Sequence, residues 1–176
     1  LRIRHVGLTS DNELLVSTFS TEIPQICMKP DGTIKTWSVD DGIVGNRDRV
    51  SIKTSWGDYY VGTAQGLTVI HRNGSLDTIS KHLEMENVYI MWLYEDDDKQ
   101  VWVGTNGGGV YILKDEKIVK HYTTDMGLAG NVIFKIYAVR AFDLVFPLSV
   151  QFKLFGDPES VGFFIFICSG SKLDTR

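Results

Sequence analysis

Long apolar runs are missing from this chain of 176 residues. The longest, Val161–Cys168, is less than half of the ~18 residues that a membrane-spanning helix needs, and Gly162 interrupts it. No membrane segment is therefore expected. Cysteine is almost absent, with Cys27 and Cys168 far apart, in unlike surroundings and outside any Cys-x-x-Cys pair. Two buried thiols are expected rather than a disulfide. A basic stripe is also lacking: 18 Lys and Arg mix with 22 Asp and Glu for a net charge of −4, which excludes a nucleic-acid surface. The chain opens on Leu1 with neither a charged n-region nor an apolar h-region, so either a signal peptide lay upstream or the protein is cytosolic, and the absence of an initial Met leads us to expect a fragment.

Catalytic constellations are lacking too. The Gly104–Gly109 run is followed by no Lys-Ser/Thr and opens no helix, so a phosphate loop lacks its parts. No Gly-x-Ser-x-Gly elbow is present, and Cys27 has no His near it in sequence. His5, His71, His82 and His121 share no metal-ligand spacing. Glu95-Asp96-Asp97-Asp98 has neither the glycine nor the closing glutamate of an EF-hand and reads as a solvated turn. No catalytic, cofactor-binding or metal-ligating residue is expected. Asn73-Gly74-Ser75 is formally a glycosylation sequon, but its place as a hairpin turn explains it.

What the chain does contain is a repeat. Leu14-Leu15-Val16-Ser17-Thr18, Tyr59-Tyr60-Val61-Gly62-Thr63 and Val101-Trp102-Val103-Gly104-Thr105 align, with their threonines spaced by 45 and 42 residues. Ile34, Leu76 and Ile118 follow at spacings of 42. The three extra residues of the first unit fall between Thr18 and Ile26, where a loop absorbs them. Asp31-Gly32 and Asn73-Gly74 precede two of these strands and predict type I′ hairpin turns; Asp115-Glu116 holds the same place in the third unit.

A fourth strand per unit is expected at Ile3–Leu8, Arg49–Thr54, Val88–Tyr94 and Val132–Tyr137. Helix-period patterning is absent. Four short antiparallel strands in about 42–45 residues are what a β-propeller blade requires. The fold expected is all-β: propeller-type blades at about 3–39, 49–80 and 88–122, then a strand at 132–137 that begins a fourth. These repeats occupy residues 1–137. Residues 138–176 form a divergent tail holding seven of the nine phenylalanines, with strands or a frame-shifted end as the alternatives. Three blades and a strand are too few to close a ring of about four to eight, so an open wedge is expected, covered by further blades or by a second copy.

Trp102-Val103-Gly104-Thr105-Asn106-Gly107-Gly108-Gly109-Val110-Tyr111 resembles the core signature of two-component regulator propeller repeats. So does Tyr122-Thr123-Thr124-Asp125-Met126-Gly127-Leu128-Ala129-Gly130-Asn131-Val132-Ile133. The resemblance weakens in the first unit, where Ser17 replaces the glycine. It implies a periplasmic sensor region of a hybrid two-component regulator, feeding a phosphorelay. It also implies partners: the remaining blades, a histidine kinase module and a possible homodimer. In the usual propeller order Asn46, Gln65, Asn87, Asn106 and Asn131 gather at one face, with Trp92 from an inner strand nearby. Amides and an aromatic ring suit an oligosaccharide, although turn-shaping would also account for the asparagines. The function expected is non-catalytic ligand sensing. A protein-interaction scaffold and a propeller lyase or hydrolase are the alternatives.

Overall fold

The computed structural model describes residues 2–20, 22–85, 88–139, 154–155 and 162–167. Strands β1 (Ile3–Leu8), β2 (Leu14–Thr18), β3 (Gln25–Met28) and β4 (Ile34–Trp37) form a first antiparallel sheet in chain order. A second contains β5 (Asp48–Lys53), β6 (Tyr59–Thr63), β7 (Leu67–Ile70) and β8 (Leu76–Asp77). A third contains β9 (Ile90–Glu95), β10 (Val101–Thr105), β11 (Val110–Lys114) and β12 (Lys117–Tyr122). These are propeller blades, and they do not close a ring. Strand β13 (Ile133–Val139) pairs with β15 (Gly162–Ile167), which pairs with β14 (Leu154–Phe155). Two strand segments of the tail thus join the sheet begun by β13, in an order unlike the meander of the blades. Cys168 lies outside the described residues. No helix among the described residues is long and apolar enough to cross a membrane.

Strands β1, β5, β9 and β13 pack against one another in series, which makes them the inner strands of successive blades. The second strands β2, β6 and β10 are buried along nearly their whole length, and β6 and β10 lie between neighbouring sheets. Both of their faces are covered, which is why they read as continuous apolar runs rather than alternations. One core cluster joins blades 2 and 3 through Val50, Tyr60, Val69, Ile90, Leu93 and Val103. Another joins blade 3 to β13 through Trp102, Val110, Ile112, Ile133 and Ile136.

The strand glycines set how closely the blades approach. A Cβ on Gly62 would lie 2.5 Å from Ile90 Cγ2, and one on Gly104 2.7 Å from Ile133 Cγ2. Each glycine therefore admits the isoleucine at the head of the next inner strand. The recurring threonines close the adjoining loop: Thr105 donates its backbone N–H and its hydroxyl to Gly109 O at 3.1 and 2.8 Å. Thr63 does the same with Gly66 O, whereas Thr18 spans the longer first loop to Ile23 O and Pro24 O.

The hairpin turns correct one expectation. At Asp31-Gly32 and Asn73-Gly74 only the glycine has positive φ, at 85° and 91°. Gly32 N–H bonds Lys29 O while Lys29 N–H bonds Thr33 O, and His71 to Ser75 repeats this. These are type I turns closed by a left-handed residue, not type I′. Pro30 presets the first corner, and the Asp31 and Asn73 side chains accept from the backbone two residues on at 2.8 and 2.9 Å. The turn with two positive φ values is the one without glycine, at Asp115 (48°) and Glu116 (58°). The β9–β10 turn likewise places Lys99 at φ 58°.

Two stability changes follow. Gly104→Ala should lower the unfolding free energy by about 1–3 kcal/mol, and Lys99→Gly should raise it by about 1 kcal/mol. Urea denaturation of the two variants checks both signs.

Candidate functional site

A concave surface of about 630 Å³ runs along the inner strands and ends in the turns that follow them. His5 and Gly7 come from β1, Ser51 and Lys53 from β5, and Trp92 and Tyr94 from β9, with Ser10 and Ser55 at the turns. Trp92 and Tyr94 also pack against the core cluster that joins blade 3 to β13. Trp92 is at the centre of the cavity wall. His5 meets the indole edge-on at 5.6 Å between ring centroids, and Lys135 Nζ stands 4.9 Å from its centroid. Trp92 Nε1 has no hydrogen-bond partner among the described residues. Burial, then the Lys135 charge, holds His5 below the ordinary imidazole range, which favours the neutral ring.

The charged groups at the rim are engaged. Lys53 donates to Asp11 and, at 2.9 Å, to Glu13 Oε2, which also accepts from Tyr59 OH at 2.6 Å. Burial disfavours the Glu13 charge, but the hydrogen bonds from Tyr59 and Lys53 outweigh it and hold the carboxyl below its usual range. Burial, and then the Glu13 charge, push up the Cys27 thiol beside it. Glu95 accepts from Ser55 N–H and Oγ at 2.7 and 2.6 Å. Asp96 accepts from Trp102 Nε1 at 2.7 Å and Gln100 N–H at 2.8 Å. The Glu95–Asp98 run is thus half structural: Asp97 and Asp98 are exposed, whereas Asp96 is buried.

Of the six residues singled out from sequence, Trp92 lines this cavity. Asn46 precedes β5, Gln65 turns β6 into β7, Asn106 turns β10 into β11 and Asn131 precedes β13. All four therefore stand at the starting ends of the inner strands, opposite the turns where the cavity ends. Asn106 and Asn131 are brought together: Gly107 and Gly109 donate to Asn131 O at 3.0 and 2.9 Å, while Asn106 N–H bonds Tyr89 O at 2.9 Å. The Asn131 carboxamide accepts from Thr124 N–H at 2.8 Å, which is turn-shaping work. Gln65 packs against Gly45, the neighbour of Asn46, with its Oε1 unpartnered. Asn87 lies outside the described residues.

Sequence reasoning missed Asp48. It opens β5 one residue before the expected start, opposite Thr63, where the other units place Ile3, Ile90 and Ile133 opposite or beside their own threonine ladders. Its blade-1 neighbour strand β2 carries Ser17 where β6 and β10 carry glycine. The two positions that hold Gly and Ile at the other seams hold Ser17 and Asp48 at the seam between blades 1 and 2. Ser17 Oγ donates to Gln25 Oε1 at 3.0 Å and lies 3.1 Å from Ser51 Oγ. The Asp48 carboxyl is wholly buried, with neither oxygen partnered among the described residues, and burial pushes its pKa up to about 8. The signal available in the sequence was the paired departure from the repeat.

Residues 84–107 match the family model for the two component regulator propeller, and this segment is a repeat of that type. No curated protein matches the chain. Among solved structures it is similar to the extracellular domain of the hybrid two component system BT3049 from B. thetaiotaomicron, at 20% identity and TM-score 0.61, over 75% of this chain and 18% of that one. It is similar to the corresponding domain of BT4673 from the same organism, at 16% identity and TM-score 0.59, over 96% of this chain and 22% of that one. Virginiamycin B lyase from Staphylococcus aureus shares the fold at 13% identity and TM-score 0.55, over 69% of this chain and 41% of that one. The chain therefore spans about a fifth of the two-component domains it resembles.

Asp48 makes stability depend on pH. Its folded pKa of about 8 lies above the ~3.9 of an unfolded aspartate, so the folded state binds the extra proton between those values. The Asp48 contribution is greatest below the lower value and is lost as pH rises toward the higher, by at most about 1.4 kcal/mol per pH unit. Denaturant midpoints measured from about pH 5 to pH 8 should fall less steeply in Asp48→Asn than in the parent chain.

Proposed function

We propose that this chain is the non-catalytic, ligand-sensing propeller portion of a two-component signal-transduction sensor and that it binds an oligosaccharide along its inner strands. The observation that carries the reading is the inner-strand cavity around Trp92, joined to a repeat of the two-component regulator type. The Trp92 ring and the side chains of Ser10, Ser51, Ser55 and Tyr94 line the same wall. Polar hydroxyls around aromatic rings are the lining that suits a sugar. Asn46, Gln65, Asn106 and Asn131 would supply a second set of contacts for a ligand long enough to reach the other end of the inner strands.

Glu95, Asp96 and Lys53 at the rim are already tied to structural partners, which supports binding rather than acid–base chemistry. The extracellular domains among the structural neighbours support a periplasmic location for this region. Partners in this reading are the remaining blades of the parent protein, its kinase module and a second copy of the sensor. Ligand binding alters the packing of blades or copies, and that change is passed to the kinase.

Titration calorimetry with a panel of glycan oligomers tests the proposal. Binding by one oligomer, weakened tenfold or more in Trp92→Ala, is the expected result. A protein recovered by crosslinking, with no oligomer bound, would favour an interaction scaffold. Glycan cleavage would favour an enzyme.

A further inference from the structure

Two hairpins of different blades bring three metal-ligating side chains together away from the inner-strand cavity. Asp58 stands just before β6, His71 just after β7, and Glu116 at the tip of the β11–β12 hairpin. His71 Nδ1 lies 3.5 Å from Asp58 Oδ2 and 3.6 Å from Glu116 Oε1. One ligand atom from each of the three residues can be chosen so that all lie within 4.8 Å of one another. These separations are at or beyond the limit of a hydrogen bond. They are close to the edges of a tetrahedron around an ion with bonds of about 2.0–2.2 Å, which are about 3.4 Å long. The widest separation closes by rotation of the Glu116 side chain, which is one-third exposed.

We infer that Asp58, His71 and Glu116 form a binding site for a divalent first-row transition ion, with zinc as the representative, and that the ion pins blade 2 to blade 3. One imidazole with two carboxylates is a borderline donor set, which suits such ions better than it suits calcium, with its all-oxygen shell. The supporting shell is in place. Trp56 Nε1 donates to Asp58 Oδ2 at 3.0 Å and Arg72 N–H donates to Asp58 Oδ1 at 2.8 Å, so the carboxylate is oriented before any ion arrives.

Glu116 occupies a backbone conformation that glycine relieves, at φ 58°. The site opens beside a cavity of about 590 Å³ that Glu116 shares with Trp56, Tyr60 and Lys114. Three protein ligands leave a fourth position for water or for a ligand donor.

The full chain, freed of metal by chelation, should bind one equivalent of zinc, and cobalt(II) should give the visible absorption of a low-symmetry site. Zinc should raise the melting temperature. His71→Ala should weaken zinc binding at least 100-fold, and His82→Ala, at an exposed histidine, should leave it unchanged. Glu116→Gly separates loss of the ligand from loss of the fold: it should raise the metal-free melting temperature and abolish the zinc-induced rise. Less than one equivalent bound by the parent chain, or zinc binding by His71→Ala or Glu116→Gly equal to that of the parent, would overturn the inference.

Discussion

The strand glycine and the isoleucine that sits on it form the contact around which the blades are arranged. Gly62 and Gly104 present bare backbone to Ile90 and Ile133. Both isoleucines are fully buried as a result. An interior packed to crystal-like density cannot make room for one more methyl group without shifting its neighbours. The spacing of successive sheets is therefore set at these points. The position also explains the edge of the array. Ile3 occupies the matching place in β1, where no earlier blade is described, and it is 56% exposed.

The seam between blades 1 and 2 departs from this rule, and the departure has two sides. Ser17 adds a hydroxyl where the other blades have none, and Asp48 replaces the apolar partner. Serine packs against serine and glutamine here instead of glycine against isoleucine. A carboxyl buried without partners stays protonated to high pH, because ionising it would place an uncompensated charge in a low-dielectric interior. Blades 2 and 3 are joined by the largest apolar cluster and also by the Asp58–His71–Glu116 hairpin contact. The two seams thus differ in chemistry although the strands on each side repeat.

Residues of the inner strands β1, β5 and β9 converge along one cavity. Their turns are anchored by carboxylates that look like free acids in sequence. Glu13, Asp58 and Asp96 each accept from an aromatic N–H or O–H and from another donor. Such acids fix turns.

Sequence alone determined the unit. Period, strand number, blade order and the recurrence of Gly-Thr all follow from spacing, since a four-stranded meander needs the same apolar runs and turns each time. Trp92 was legible as an inner-strand aromatic, and the asparagines were legible as one end of the array. The turn class was misread because Asp-Gly and Asn-Gly suit more than one hairpin, and only the hydrogen bonds of Lys29–Thr33 and His71–Ser75 choose between them. Tertiary structure decided what lies between units. Asp58, His71 and Glu116 come from two blades and are up to 58 residues apart, so no local spacing could join them. Asp48 needed the ladder to Thr63 to place it in the isoleucine position, because a strand boundary shifts by a residue without changing the pattern.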